Sequence, residues 1–194
     1  MKTELKTKQT SPALIIIDMI NDFNFTHGKI LAKKTLKIAE HINKLKSAFH
    51  AQELPVIYVN DHYNLWQADI HTIIDYCKNP ISEPVLSQVQ PEMNDYFLIK
   101  PKHSAFYGTA LNTLLHQLGV NTLIMTGIAG NICVLFSAND AYMREYHLHI
   151  PHNCIASNDD HDNENALKMM EQVLKADVSS FAENNYNISS MFSS

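Results

Sequence analysis

Four short apolar runs, each ending at a polar residue or a glycine, set the tightest limit on how this chain can fold. They are Ala13 to Ile17 before Asp18, Pro55 to Asn60 before Asp61, Tyr96 to Ile99 before Lys100, and Thr122 to Thr126 before Gly127. They are rich in β-branched residues and mostly lack polar alternation, the pattern of strands covered on both faces. Between them the apolar spacing turns helical. A helix is predicted over Lys33 to Ala51, with Leu36, Ala39, Ile42, Leu45 and Phe49 on its buried stripe. Others carry Leu111, Leu114, Leu115 and Leu118, closed by Gly119; Ile132, Leu135, Phe136, Tyr142 and Met143; and Ala166, Met170, Val173 and Leu174. Further strands are expected at His147 to Ile150 and Asp177 to Phe181. The β-α alternation predicts a single domain over 1–194: an α/β, doubly wound, mainly parallel six-stranded sheet of Rossmann-like topology, with helices on both faces. Residues 1–11 and 184–194 read as loose tails. Tyr76 to Asp95, with Pro80, Pro84 and Pro91, reads as a structured excursion or lid.

A chain of 194 residues can bury roughly 70% of its unfolded surface without staples. Its formal net charge of −5 comes with no basic stripe, which argues against nucleic acid or an anionic membrane as partner and for a small-molecule substrate. Three cysteines, far apart and without a CxxC pair, suit a reducing compartment. The polar start MKTELKTKQTSP has no apolar leader pattern, so the expectation is a soluble, unprocessed cytoplasmic protein. The first β-to-α turn, DMINDF, has no G-x-G-x-x-G, so no dinucleotide or other organic cofactor is implied.

In such sheets ligands bind beyond the carboxyl ends of the strands. Those ends carry Asp18, Asn60 with Asp61, Lys100 and, past a glycine-bearing turn, Cys133. With Asn131 as N-cap, Cys133 falls in a first helical turn, where unpaired N–H groups and the helix dipole favour a thiolate. A packed core cysteine fits the same position, and position alone leaves both open. Asp18 by itself fits a turn cap and Lys100 a solvated strand-end charge. Together, from neighbouring strand ends, they supply the base and the cation that a nucleophilic cysteine needs.

The blocks ALIIIDMINDF (Ala13 to Phe23), VIYVND (Val56 to Asp61), LIKPKHSAFYGTAL (Leu98 to Leu111) and GIAGNICVLFSANDAY (Gly127 to Tyr142) span nearly the whole chain. In them the sequence resembles the isochorismatase-like cysteine hydrolases. The resemblance implies a catalytic triad of Asp18, Lys100 and Cys133, with Lys100 chosen over Lys102 because it opens the Lys-x-basic-x-Ser-Ala-Phe block. It further implies a cis peptide between Ile128 and Ala129, an oxyanion hole from the backbone N–H groups of Ala129 and Cys133, and a homo-oligomer, dimer or tetramer. Two departures, Gly130-Asn131 where many relatives have Thr-Asp and Ile20 where many have Gln, leave the triad intact but reshape the pocket.

The expected chemistry is hydrolysis of a small amide, carbamoyl or related C–N bond through a thioester. Asp18 takes the Cys133 proton, later gives it to the leaving amine, and then activates water. Phe23, Asn60, Trp66 and Tyr107 are the expected pocket residues, with Tyr63 and Leu135 near them; Cys77 and Cys154 read as structural. A metal on Asp61, His62 and His71 is not adopted, because DHYNLWQADIH lacks the ligand spacing of the nicotinamidase branch. Two alternatives stand beside this reading: an isochorismatase-type enol-ether hydrolase, against which Cys133 argues, and a non-catalytic or redox-responsive protein using a low-pKa Cys133.

Overall fold

A computed structural model describes residues 10–65 and 69–189. In chain order the elements are β1 (Pro12–Ile17), α1 (Gly28–His50), β2 (Val56–Asp61), α2 (Ile70–Cys77), α3 (Glu83–Val89), β3 (Tyr96–Lys100) and α4 (Leu111–Gln117). Then come β4 (Thr122–Ile128), a π-helical turn (Gly130–Val134), α5 (Leu135–Tyr142), β5 (His147–His149), β6 (Ile155–Ala156) and α6 (Asp160–Gln172). The six-stranded sheet runs β3-β2-β1-β4-β5, with β6 also paired to β4, and every pairing is parallel.

Both faces are covered, and β1 shows why it has no polar position. Leu14 and Ile16 enter one core with Ile42, Leu45 and Phe49 of α1 and Val85, Leu86 and Val89 of α3. Ala13, Ile15 and Ile17 enter the other, with Leu111 and Leu115 of α4, Ala138 and Ala141 of α5, and Ala166 and Met170 of α6. The period-2 alternation of a strand thus meets helices on either side. The chain builds β1, β2 and β3 outward one way, then returns to set β4 against the other flank of β1. The crevice between the ends of β1 and β4 is therefore the switch point where doubly wound sheets bind ligands.

Several expectations are corrected. The sixth strand is Ile155–Ala156, paired with Gly127 and Ile128. Asp177 makes only a single bridge to His149, after which Ser180 caps a 3-10 turn over Phe181–Asn184. That turn carries Ile188 into the α1 core, so 184–189 are docked and not a loose tail. Tyr76 to Asp95 holds the end of α2 and all of α3. Its far end is tied to α1, where Lys46 Nζ meets Gln90 O at 2.8 Å and His50 Nε2 meets Asp95 Oδ1 at 2.7 Å. On α5 the inward face is made of small residues, Ser137, Ala138 and Ala141, while Phe136 and Met143 are 53% and 73% exposed. Small side chains let that helix approach the sheet closely, so of the apolar stripe read from the sequence only Leu135 packs against the core, and Ile132, Phe136, Tyr142 and Met143 are exposed. Val173, expected inside, is 60% exposed. Among the described residues no helix is long and apolar enough to cross a membrane.

Gly127 closes β4 beside β1. A Cβ there would lie 2.0 Å from Ile17 O, and its φ of +114° is accessible to little besides glycine. Gly127→Ala is expected to cost at least about 3 kcal/mol in urea unfolding, since the clash is with backbone and adds to dihedral strain.

Candidate active site

The ends of three strands converge on one ion pair. Asp18 follows β1 with a left-handed φ of 52°, which turns its side chain across the sheet edge. Its N–H donates to Val59 O at 3.1 Å, and its Oδ1 accepts the Asp61 N–H at 3.0 Å. Lys100 ends β3, which is not adjacent to β1, so the four-carbon side chain must cross the end of β2. Its Nζ lies 2.9 Å from Asp18 Oδ2 and 3.7 Å from Cys133 Sγ, and donates to Lys102 O at 3.0 Å. Asp18 and Lys100 are 6% and 1% exposed, so this contact is shielded from water.

Cys133 is carried by the turn after β4. The Ile128–Ala129 peptide is cis, and Gly130 to Val134 form one π-helical turn. Asn131, expected as N-cap, does not cap this turn. Its N–H donates to Ser157 Oγ at 3.1 Å, and Ser157 Oγ donates to Asn163 Oδ1 at 2.8 Å. A Cβ at 130 would sit 2.2 Å from that Asn163 Oδ1 and 3.2 Å from Ser157 Oγ, so glycine there is what admits the network. From the other side Ser137 Oγ donates to Cys133 O at 2.6 Å.

Asp18 and the Ala129 N–H both lie near enough to the thiol to act on its ionisation. Burial pushes the Cys133 thiol up to about 12; the Asp18 charge adds to this, and Lys100 and the Ala129 N–H oppose it. The expectation of a readily ionised thiol is therefore overturned, because desolvation outweighs the helix end. Burial also raises Asp18 against the opposing pull of Lys100 and of hydrogen bonds from Cys133 and Lys100. Lys100 is lowered by burial, yet Asp18, Cys133 and Asp61 together raise it, so it stays charged.

The expected pocket residues scatter. Asn60 is buried, 1% exposed, its Oδ1 accepting the Ile20 N–H at 3.1 Å and its Nδ2 donating to Ile20 O at 2.8 Å. It clamps the turn after β1. Phe23 is buried and borders a recess of about 930 Å³ with Phe25, Lys29 and Tyr76, which Asp18, Lys100 and Cys133 do not line. Tyr107 is 61% exposed and borders a recess of about 250 Å³ with His103 and Phe136. Trp66 lies outside the described residues. Asp61 Oδ1 accepts the Tyr63 N–H and His62 Nδ1 the Asn64 N–H, so these two candidate ligands serve local turns. Sequence reading missed His103, whose Nδ1 lies 4.0 Å from Cys133 Sγ. The signal was its place in KPKHSAF, three residues beyond Lys100.

The Isochorismatase domain family model matches residues 12–183. The chain belongs to the isochorismatase family. It is a hydrolase. Within the family it is 61% identical over 166 residues to the uncharacterized protein YaaI of Bacillus subtilis (strain 168), covering 86% of this chain and 92% of that one. Two solved structures share the isochorismatase fold closely. One is the nicotinamidase/pyrazinamidase PncA of Bacillus subtilis, with TM-score 0.71, 26% identity, and 88% of this chain and 100% of that chain covered. The other is the N-carbamoylsarcosine amidase of Thermoplasma acidophilum, with TM-score 0.68, 27% identity, and 88% and 96% covered.

Asp18→Asn removes a charge that raises the Cys133 thiol and leaves Lys100, which lowers it. The thiolate midpoint, followed by absorbance near 240 nm or by alkylation rate against pH, is expected to move down from about 12. An unchanged or higher midpoint would contradict this account of the site's electrostatics.

Proposed function

We propose that this family member is a cysteine-dependent amidohydrolase that cleaves a small amide or carbamoyl C–N bond through a thioester on Cys133. The observation that carries the reading is the position of Lys100 Nζ, 2.9 Å from a buried carboxylate and 3.7 Å from a thiol. A thiol near 12 is a poor nucleophile unless its proton leaves as the C–S bond forms. Asp18, beside that thiol and raised in pKa, is a base matched to the task, and Lys100 holds its charge as the proton moves. The Ala129 N–H, already directed at the sulfur, meets the oxyanion that grows beside it, joined by the Cys133 N–H. The nicotinamidase and the carbamoylsarcosine amidase that share the fold act, by name, on small C–N substrates, which supports the same substrate class here.

The test is ammonia release from a panel of small primary amides, nicotinamide included, and N-carbamoyl acids. Cys133→Ala is expected to lower kcat by on the order of 10⁴ or more, and intact-mass measurement of the wild type to reveal an acyl adduct on Cys133. Turnover that survives Cys133→Ala would sink the proposal. Because Asp18 must be ionised and its pKa is raised, kcat/KM is expected to fall as pH drops through a midpoint above the ordinary 3.8, and Asp18→Asn to abolish that limb along with most of the rate.

A further inference from the structure

On its inner side the Cys133 sulfur is closed off by Asp18, Lys100 and the Ala129 N–H. On its exposed side the neighbour is His103, with Nδ1 at 4.0 Å. The imidazole is held there. Ser137 Oγ donates to Cys133 O at 2.6 Å and accepts the Ala105 N–H at 2.8 Å, so one hydroxyl ties the His103 turn to the cysteine's own backbone. Ser104 Oγ bonds Asp140 Oδ2 at 2.5 Å, and the ring packs against Phe136 with centroids 5.8 Å apart. Charged groups around it are Lys102 on the same turn, Asp140 of α5 with Arg144 just past the end of that helix, and the Asp18–Lys100 pair behind the sulfur.

Asp18 is poorly placed for protons on that outer side. Both of its oxygens are engaged on the inner side, Oδ1 by the Asp61 N–H and Oδ2 by Lys100. An acyl group joined to the sulfur must extend outward, and its leaving nitrogen departs past the imidazole. We infer that His103 is a second catalytic residue, the acid and base of the outer side; this rests on the cysteine amidohydrolase reading above. The thiol proton passes to Asp18 as the C–S bond forms. The C–N bond then breaks, the nitrogen takes a proton from the His103 imidazolium, and the amine leaves. In the second half neutral His103 takes a proton from water, the hydroxide adds to the thioester carbon, and the C–S bond breaks. The thiolate recovers its proton from Asp18, which restores the thiol, the carboxylate and the imidazolium. A 4.0 Å contact to sulfur suits this role, since such hydrogen bonds commonly tighten only with substrate bound.

The experiment compares two substrates on the full chain: the best amide from the panel, whose nitrogen must be protonated to leave, and p-nitrophenyl acetate, whose phenolate needs no proton. His103→Ala is expected to slow amide turnover about 100-fold more than the initial burst of p-nitrophenolate, which reads acylation alone, and to slow the later ester turnover, which passes through the same thioester. Added imidazole, entering the space beside Phe136 and Tyr107, is expected to restore amide turnover. His103→Gln, which keeps the side-chain bulk, should show the same amide-selective loss without rescue. An equal loss of amide turnover and of the p-nitrophenolate burst, or absence of imidazole rescue, would overturn the assignment. If ester and amide turnover both persist in Cys133→Ala, the underlying cysteine reading is what fails.

Discussion

Everything at this site depends on a lysine and a carboxylate held against each other out of water. Removing two charges from solvent costs several kcal/mol per ion, recovered only where the geometry is close and the remaining hydrogen-bonding capacity is met. Here both conditions hold. Asp18 and Lys100 approach to 2.9 Å, the second carboxylate oxygen takes a backbone N–H, and the ammonium reaches a backbone carbonyl as well. A pair built this way cannot lose one member cheaply, because an unpaired buried charge costs about 3–5 kcal/mol. The same dryness keeps the neighbouring thiol protonated. In the proposed mechanism the nucleophile is therefore stored in the neutral form, with its base beside it.

The sheet order makes this pair possible. Chain reversal at β1 places Asp18 and the Cys133 turn on either side of one crevice. Lys100, two strands away from Asp18, bridges the gap with side-chain length, passing over the end of β2. Asn60 and Asp61 at that end do the fixing: one clamps Ile20, and the other supplies the N–H that orients Asp18. Expected as a binding group, Asn60 instead holds the floor on which the site stands.

What the sequence made legible follows the range of the interactions involved. Period-2 and period-3.6 patterns are local, so β1 to β4, α1 and α4 could be read to within a few residues, and the charged strand ends with them. The sixth strand could not, because Ile155–Ala156 is too short for any pattern and exists only because Gly127 and Ile128 offer it a partner. The α5 face was misread for a related reason: helical spacing shows which residues share a stripe but not that close approach to a sheet favours Ser137, Ala138 and Ala141. The thiol's ionisation was misjudged because a helix end is visible in sequence, whereas burial is not. His103 escaped notice because its partner is thirty residues away.

Gly130 has a consequence that reaches beyond its own turn. The volume a side chain would need there is filled by the Asn163 amide and the Ser157 hydroxyl, so a larger residue at 130 must push the Asn163 amide off Ser157. In a lineage of such sequences the dependence has a direction: a larger residue at 130 follows, or accompanies, a rearrangement at 163, whereas 163 is free to change first. The back of the Cys133 turn and the first turn of α6 are thereby bound to a common history.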